Sequence, residues 1–97
     1  MAILKEMFKE EKDRLLKMKK FYVDKIKELP KGSIVFKNRR NRKYPYLVYR
    51  MGKKVKTDYL KANDDELKEI EFKLNKRKKY IKLVRDINND LKVLGRF

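Results

Sequence analysis

The sequence predicts an α+β domain: a long N-terminal helix, a three-stranded antiparallel meander, and a long C-terminal helix, with the helices packed as an antiparallel coiled-coil-like pair. Three observations predict it. Apolar residues recur at steps of three and four over residues 3–29 and again over 64–94. Between them, over 33–60, the period shortens to two and β-branched and aromatic residues take over. The chain has 97 residues, the length of one small domain, so 1–97 reads as a single unit.

In the first helix Leu4, Phe8, Glu11, Leu15, Met18, Tyr22, Ile26 and Leu29 fall on one face. Neither glycine nor proline interrupts the run, and Lys, Glu, Leu and Met are strong helix formers. Glu6, Glu10 and Glu11 stand early and Lys25 and Lys27 late, as the helix dipole favours. Pro30-Lys31-Gly32 ends the helix.

The meander has Ser33–Lys37 as its first strand, a polar loop over Asn38-Arg39-Arg40-Asn41-Arg42, and Tyr44–Arg50 as its second strand. Pro45 has no N–H for a ladder, which places it at the start of that strand. Met51-Gly52 turns the chain into a third strand running to Leu60, where Val55, Thr57 and Tyr59 alternate with Lys54, Lys56 and Asp58. Tyr44, Tyr46, Val48 and Arg50 share one face of the second strand, and Leu47 and Tyr49 the other. One face is expected to pack on the helices and the other to be exposed.

The last helix begins at Asn63, an N-cap with Glu66 three residues on and Asp64 and Asp65 in the first turn. Leu67, Ile70, Leu74, Arg77, Ile81, Val84, Asn88 and Leu91 form its stripe, and Gly95 marks the exit. At the rise of an α-helix both helices reach about 40–47 Å, and matched lengths around a compact insert predict the antiparallel pair. Glu11, Arg77 and Asn88 interrupt the stripes. Ile3, Met7, Phe72, Leu83, Ile87, Val93 and Phe97 fall beside them, apolar surface for a homodimer through the helices or for a protein partner.

The composition excludes several chemistries. The chain has no cysteine and no histidine, one serine (Ser33) and one threonine (Thr57). Disulfides, thiol nucleophiles, cysteine-ligated zinc and the usual general base are therefore absent, and the chain reads as a non-enzyme without cofactor or metal. Asp64–Glu66 is accounted for by capping, and Asp86 and Asp90 lack converging partners on other elements. No apolar run approaches the length of a membrane span, and Lys5 and Glu6 interrupt the opening apolar residues, so no membrane is expected. The chain reads as cytoplasmic.

Charge is the strongest functional signal. Lys and Arg number 30 against 14 Asp and Glu, a net +16. Residues 1–30 carry +3 and residues 62–97 also +3, whereas residues 31–61 carry eleven bases and one acid, Asp58. A field concentrated on one element steers a polyanion, and this concentration exceeds what protecting a sheet edge requires. The candidate nucleic-acid-binding residues are Lys37, Arg39, Arg40, Arg42, Lys43, Tyr46, Arg50, Lys53, Lys54 and Lys56. Lys and Arg suit phosphate, while Arg and Tyr on a ribbon suit base edges and faces. Tyr44, Tyr46, Tyr49 and Tyr59 either stack on bases or cover the sheet, and alternation does not separate the two. A second basic run, Lys73, Lys76, Arg77, Lys78, Lys79, Lys82 and Arg85, spreads around a helix and reads as a solvated face.

The segments Leu29-Pro30-Lys31-Gly32-Ser33-Ile34-Val35 and Tyr44-Pro45-Tyr46-Leu47-Val48-Tyr49-Arg50-Met51-Gly52-Lys53-Lys54-Val55, with Tyr59, carry a resemblance over residues 29–94. They resemble a small uncharacterised prokaryotic family with a Gly-Ser-leading, Tyr-rich, Gly-Lys hairpin followed by a long helix ending in a coiled coil. Many members carry a cysteine cluster between the first two strands. Asn38–Arg42 stands there in this chain, so a metal role does not carry over. The meander is also similar to the N-terminal three-stranded DNA-binding domain of tyrosine recombinases, which implies contact with nucleic acid.

Together these readings point to non-catalytic binding of DNA or RNA by the meander, the helix pair serving as scaffold or dimerisation element. The competing reading is a small inhibitor encoded by a phage or mobile element, anti-CRISPR-like, that binds a host protein or nucleoprotein.

Overall fold

The computed structural model describes residues 2–96. The elements are α1 (Ala2–Glu28), β1 (Ser33–Arg39), β2 (Arg42–Met51), β3 (Lys54–Tyr59) and α2 (Asp64–Leu94). Two helices thus flank a three-stranded antiparallel sheet in the chain, as the sequence predicts. The chain divides into two compact units, one formed by the N-terminal residues through Glu28 with Lys78 onward, the other by Leu29–Arg77.

In the first unit α1 contacts the C-terminal half of α2. Tyr22 and Tyr80 pack with ring centroids 5.1 Å apart, and Phe21 meets Tyr22 edge-on at 5.4 Å. Leu15 and Ile87 are buried. They lie seven residues before Tyr22 and seven after Tyr80, the opposed heptad steps of an antiparallel seam. Ile87 corrects an expectation, since the sequence pattern places it beside the stripe and it is only 5% exposed. The buried face is wider than the single stripe: Ile81, Val84, Asn88 and Leu91 of that stripe are half-buried, and a second row lies beside it. Tyr80, Val84, Ile87, Leu91 and Leu94 also repeat at four and three, and all are buried or half-buried. This second row contains no polar residue except the tyrosine, and burying it removes further apolar area from water. Ile3, Met7 and Val93 are exposed as expected and Leu83 is half-buried, while Phe97 lies outside the described residues. Glu11 is half-buried and accepts hydrogen bonds from Arg14, whose guanidinium holds its carboxyl below the usual range.

The second unit contains the sheet and the start of α2. The strand order is β1-β2-β3. β1 pairs with β2 from Ser33↔Val48 to Arg39↔Arg42, and β2 with β3 from Tyr46↔Tyr59 to Met51↔Lys54. Both connections are two-residue turns. Arg40 (φ 51°) and Asn41 (φ 66°) are both left-handed, the type I′ pattern. Gly52 at φ 61° leads the other, which fits type II′. The expected polar loop over Asn38–Arg42 is therefore corrected: Asn38 and Arg39 belong to β1 and Arg42 to β2. Primed turns match the right-handed twist of the strands, so the ladder continues to the hairpin tip.

Pro45 is likewise not at the start of its strand but its fourth residue, opposite Phe36. Its carbonyl accepts from Leu60 N–H at 3.0 Å on the β3 side. Its nitrogen faces the same way, and β3 has already ended at Tyr59. The missing donor thus falls at the margin of the ladder and leaves no paired carbonyl wanting.

No residue of the sheet is buried, and Tyr44–Tyr49 are half-buried along both faces of β2. The expectation of one packed and one exposed face is corrected accordingly. Neighbouring strands cover β2 from both sides, and neither face is sealed. At the start of α2, Asn63 Oδ1 accepts from Glu66 N–H at 2.8 Å, and Asn63 C=O accepts from Leu67 N–H at 2.9 Å. Asp64, Asp65 and Glu66 fill the first turn. Leu74 is buried and Phe72 exposed. Among the described residues no helix is long and apolar enough to cross a membrane.

Gly32 enters β1 at φ 117°, and a Cβ there would lie 2.4 Å from the Val48 carbonyl oxygen. Gly52 has open space around its missing Cβ. Gly32→Ala is expected to destabilise the protein by about 2–3 kcal/mol and Gly52→Ala by about 1 kcal/mol, from left-handed strain alone. Urea unfolding followed by circular dichroism measures both; equal losses would contradict the close approach at Gly32.

Candidate nucleic-acid interface

Residues paired across an antiparallel ladder share a face. The register therefore assigns Val35, Lys37 and Arg39 of β1, Arg42, Tyr44, Tyr46, Val48 and Arg50 of β2, and Val55, Thr57 and Tyr59 of β3 to one face. Ile34, Phe36, Lys43, Leu47, Tyr49, Met51, Lys54, Lys56 and Asp58 occupy the other. The ten candidate residues thus divide. Lys37, Arg39, Arg42, Tyr46 and Arg50 lie on the first face, Lys43, Lys54 and Lys56 on the second, and Arg40 and Lys53 in the two turns.

The first face gathers aromatic rings and cations. Tyr59 meets Tyr46 edge-on at 5.5 Å and Tyr44 at 6.2 Å, tilted by 55°. Lys37 Nζ stands 4.9 Å from the centroid of the Tyr46 ring, and the Arg39 guanidinium carbon 5.9 Å from it, both within cation–π range. Arg39, Arg40, Tyr44, Tyr46 and Tyr59 line an open hollow of about 420 Å³. Tyr44 and Tyr59, outside the ten candidates, line the same hollow. Tyr44 follows from alternation with Tyr46, but Tyr59 joins them only through the β2–β3 register.

The hairpin tip carries unusual charge. Arg39 and Arg42 stand directly opposite each other, a like-charge pair that weakens a ladder. Between them Arg40 holds a left-handed conformation that costs an arginine about 1–2 kcal/mol relative to glycine. The ion pairs Glu11–Arg14, Lys25–Glu28 and Lys73–Glu69 lie on the helices. Among the described residues no cation of the sheet is ion-paired. The one acid of the segment is engaged on the second face, where Asp58 Oδ2 accepts from the Tyr49 hydroxyl at 2.7 Å. Among the described residues no three potential metal-ligating side chains converge.

These features define a class of protein: helix, three-stranded sheet, helix, with a basic and aromatic sheet face. The chain belongs to the family described as a domain of unknown function, DUF6788, whose profile matches residues 5–69. The match spans nearly all of α1, the whole sheet and the first turns of α2, so both hairpins lie within it and the basic run from Lys73 to Arg85 lies beyond it. Neither the curated proteins nor the solved structures yield a match to the chain.

The hydrogen bond to Asp58 raises the Tyr49 phenol above its ordinary value, helped by burial and by the negative charge. Folding thus favours the neutral phenol. The contribution is whole below a pH of about 10, the unfolded value, and is lost as pH rises through the higher native one. A phenolate-absorbance titration is expected to contain a component above the ordinary tyrosine value that belongs to Tyr49. Tyr49→Phe should remove that component and Asp58→Ala should lower it; a wild-type curve without it would count against the bond.

Proposed function

We propose that this protein is a non-catalytic nucleic-acid-binding protein that contacts the phosphate backbone through the cationic tip and first face of its sheet. The observation that carries this reading is the hairpin end, where Arg39, Arg40 and Arg42 crowd together without a carboxylate. A like-charge pair and a left-handed arginine each cost folding free energy. The repulsion is relieved when phosphates lie against the tip, and binding is driven by release of the condensed counterions that the arginines replace; the backbone strain at Arg40 is unchanged. Arg50 and Lys53 extend the charge toward the other end of β2, and the helix pair serves as scaffold or dimerisation element.

The reading is tested by salt titration of binding to duplex DNA, single-stranded DNA and structured RNA. Wild type is compared with Arg39→Gln/Arg40→Gly/Arg42→Gln, in which glycine spares the left-handed position. The log–log slope is expected to be about −5 or steeper and to flatten by roughly two to three units in the variant. Weak, salt-insensitive binding to all three ligands would sink the reading and direct attention to a protein partner. Arg40→Gly alone should weaken binding while raising the unfolding free energy by up to about 1 kcal/mol, since it removes the strain together with the charge.

A further inference from the structure

The sheet's two faces use their tyrosines differently. On the second face the Tyr49 hydroxyl is committed to Asp58. On the first face the hydroxyls of Tyr44, Tyr46 and Tyr59 have no hydrogen-bond partner among the described residues. The rings differ too. Tyr46 is covered by Lys37 and Arg39 and braced edge-on by Tyr59. Tyr59 carries no cation and is 53% exposed at the last position of the edge strand β3. A ring left this open beside a hollow of about 420 Å³ is within the size range of small-ligand sites.

We infer that the hollow takes one unpaired nucleobase, stacked on Tyr59, with Arg39 and Arg40 on the flanking phosphate, so that the protein prefers single strands to duplex. This rests on the nucleic-acid reading and narrows it. Phosphate contacts alone do not distinguish strand types; an aromatic platform does, because every base has a π-face and only an unpaired one offers it fully. The tilt between Tyr44 and Tyr59 leaves no parallel slot between the rings, since a sandwiched base needs about 7 Å and the centroids are 6.2 Å apart. The base therefore stacks on Tyr59 alone, and Tyr44 walls the hollow. Free hydroxyls on Tyr44 and Tyr46 give the base edge donors and acceptors without selecting one base strongly. Unpaired bases of DNA and RNA share this chemistry.

The test measures affinity for a short single strand, the matching blunt duplex and a free nucleoside monophosphate at one salt concentration. A strand with a fluorescent base analogue at an internal position reports stacking directly on the wild-type protein. The single strand is expected to bind about tenfold or more tightly than the duplex, with the analogue quenched. Tyr59→Leu should lower single-strand affinity about tenfold with an unchanged salt slope, and Tyr59→Phe should restore it. Circular dichroism verifies that both variants are folded, and if Tyr59→Leu is not, the analogue signal on wild type decides. Equal, salt-dependent affinity for strand and duplex without quenching overturns the inference and leaves the phosphate-binding reading standing. Salt-insensitive, weak binding to both removes the two together. A free nucleotide bound as tightly as the strand makes the hollow a mononucleotide pocket and overturns the strand assignment.

Discussion

The register of β2 is the constraint on which the basic and aromatic sheet face depends. Side chains alternate strictly along a strand, so a slip of one residue would move Tyr44 and Tyr46 to the opposite face and exchange every partner. Two primed turns prevent that slip. The left-handed Arg40 and Asn41 close β1 onto β2 at Arg39↔Arg42, and Gly52 closes β2 onto β3 at Met51↔Lys54. With both ends pinned, Tyr46 faces Tyr59 across one ladder and Val35 across the other, and the aromatic cluster follows.

The same sheet is weakly supported by packing. None of its residues is buried, and the most buried side chains among the described residues, Leu15, Leu74 and Ile87, are all on helices. Small sheets gain stability from a sealed face, and this one has apolar and aromatic area left on both. Its cations also lack acids. Such an element holds its register through hydrogen bonds and turns, and much of its apolar and aromatic surface stays exposed. Charge repulsion at the hairpin tip and the exposed ring of Tyr59 belong to this balance: each would be a defect in a sheet built only for stability.

The helices follow a different logic. Their stripes admit two overlapping heptad frames that share Val84 and Leu91, one through Ile81 and Asn88 and one through Tyr80, Ile87 and Leu94. Residues of both are half-buried, and Ile87 is the most buried of these. Tyr80 meets Tyr22, and Ile87 is one of the best-buried residues, so the face that meets α1 is broader than one stripe. Glu11 on α1 keeps its place in the stripe by pairing with Arg14, which satisfies its carboxylate at the half-exposed edge.

Local rules were enough for much of this protein. Helical periodicity, the Asn63 cap, the glycine at the second turn and the concentration of charge in 31–61 are short-range properties, and the sequence determined them by itself. Both helices and the strand order were legible on that basis. Tertiary structure decided what depends on pairing over distance. The first hairpin's ladder ran through residues whose polarity reads as loop, because a primed turn needs only Arg40 and Asn41. Pro45 was accommodated inside a central strand because β3 ends beside it. Tyr59 joined Tyr44 and Tyr46, and Lys43, Lys54 and Lys56 were sent to the opposite face, because cross-strand register relates residues that no single strand's alternation can connect.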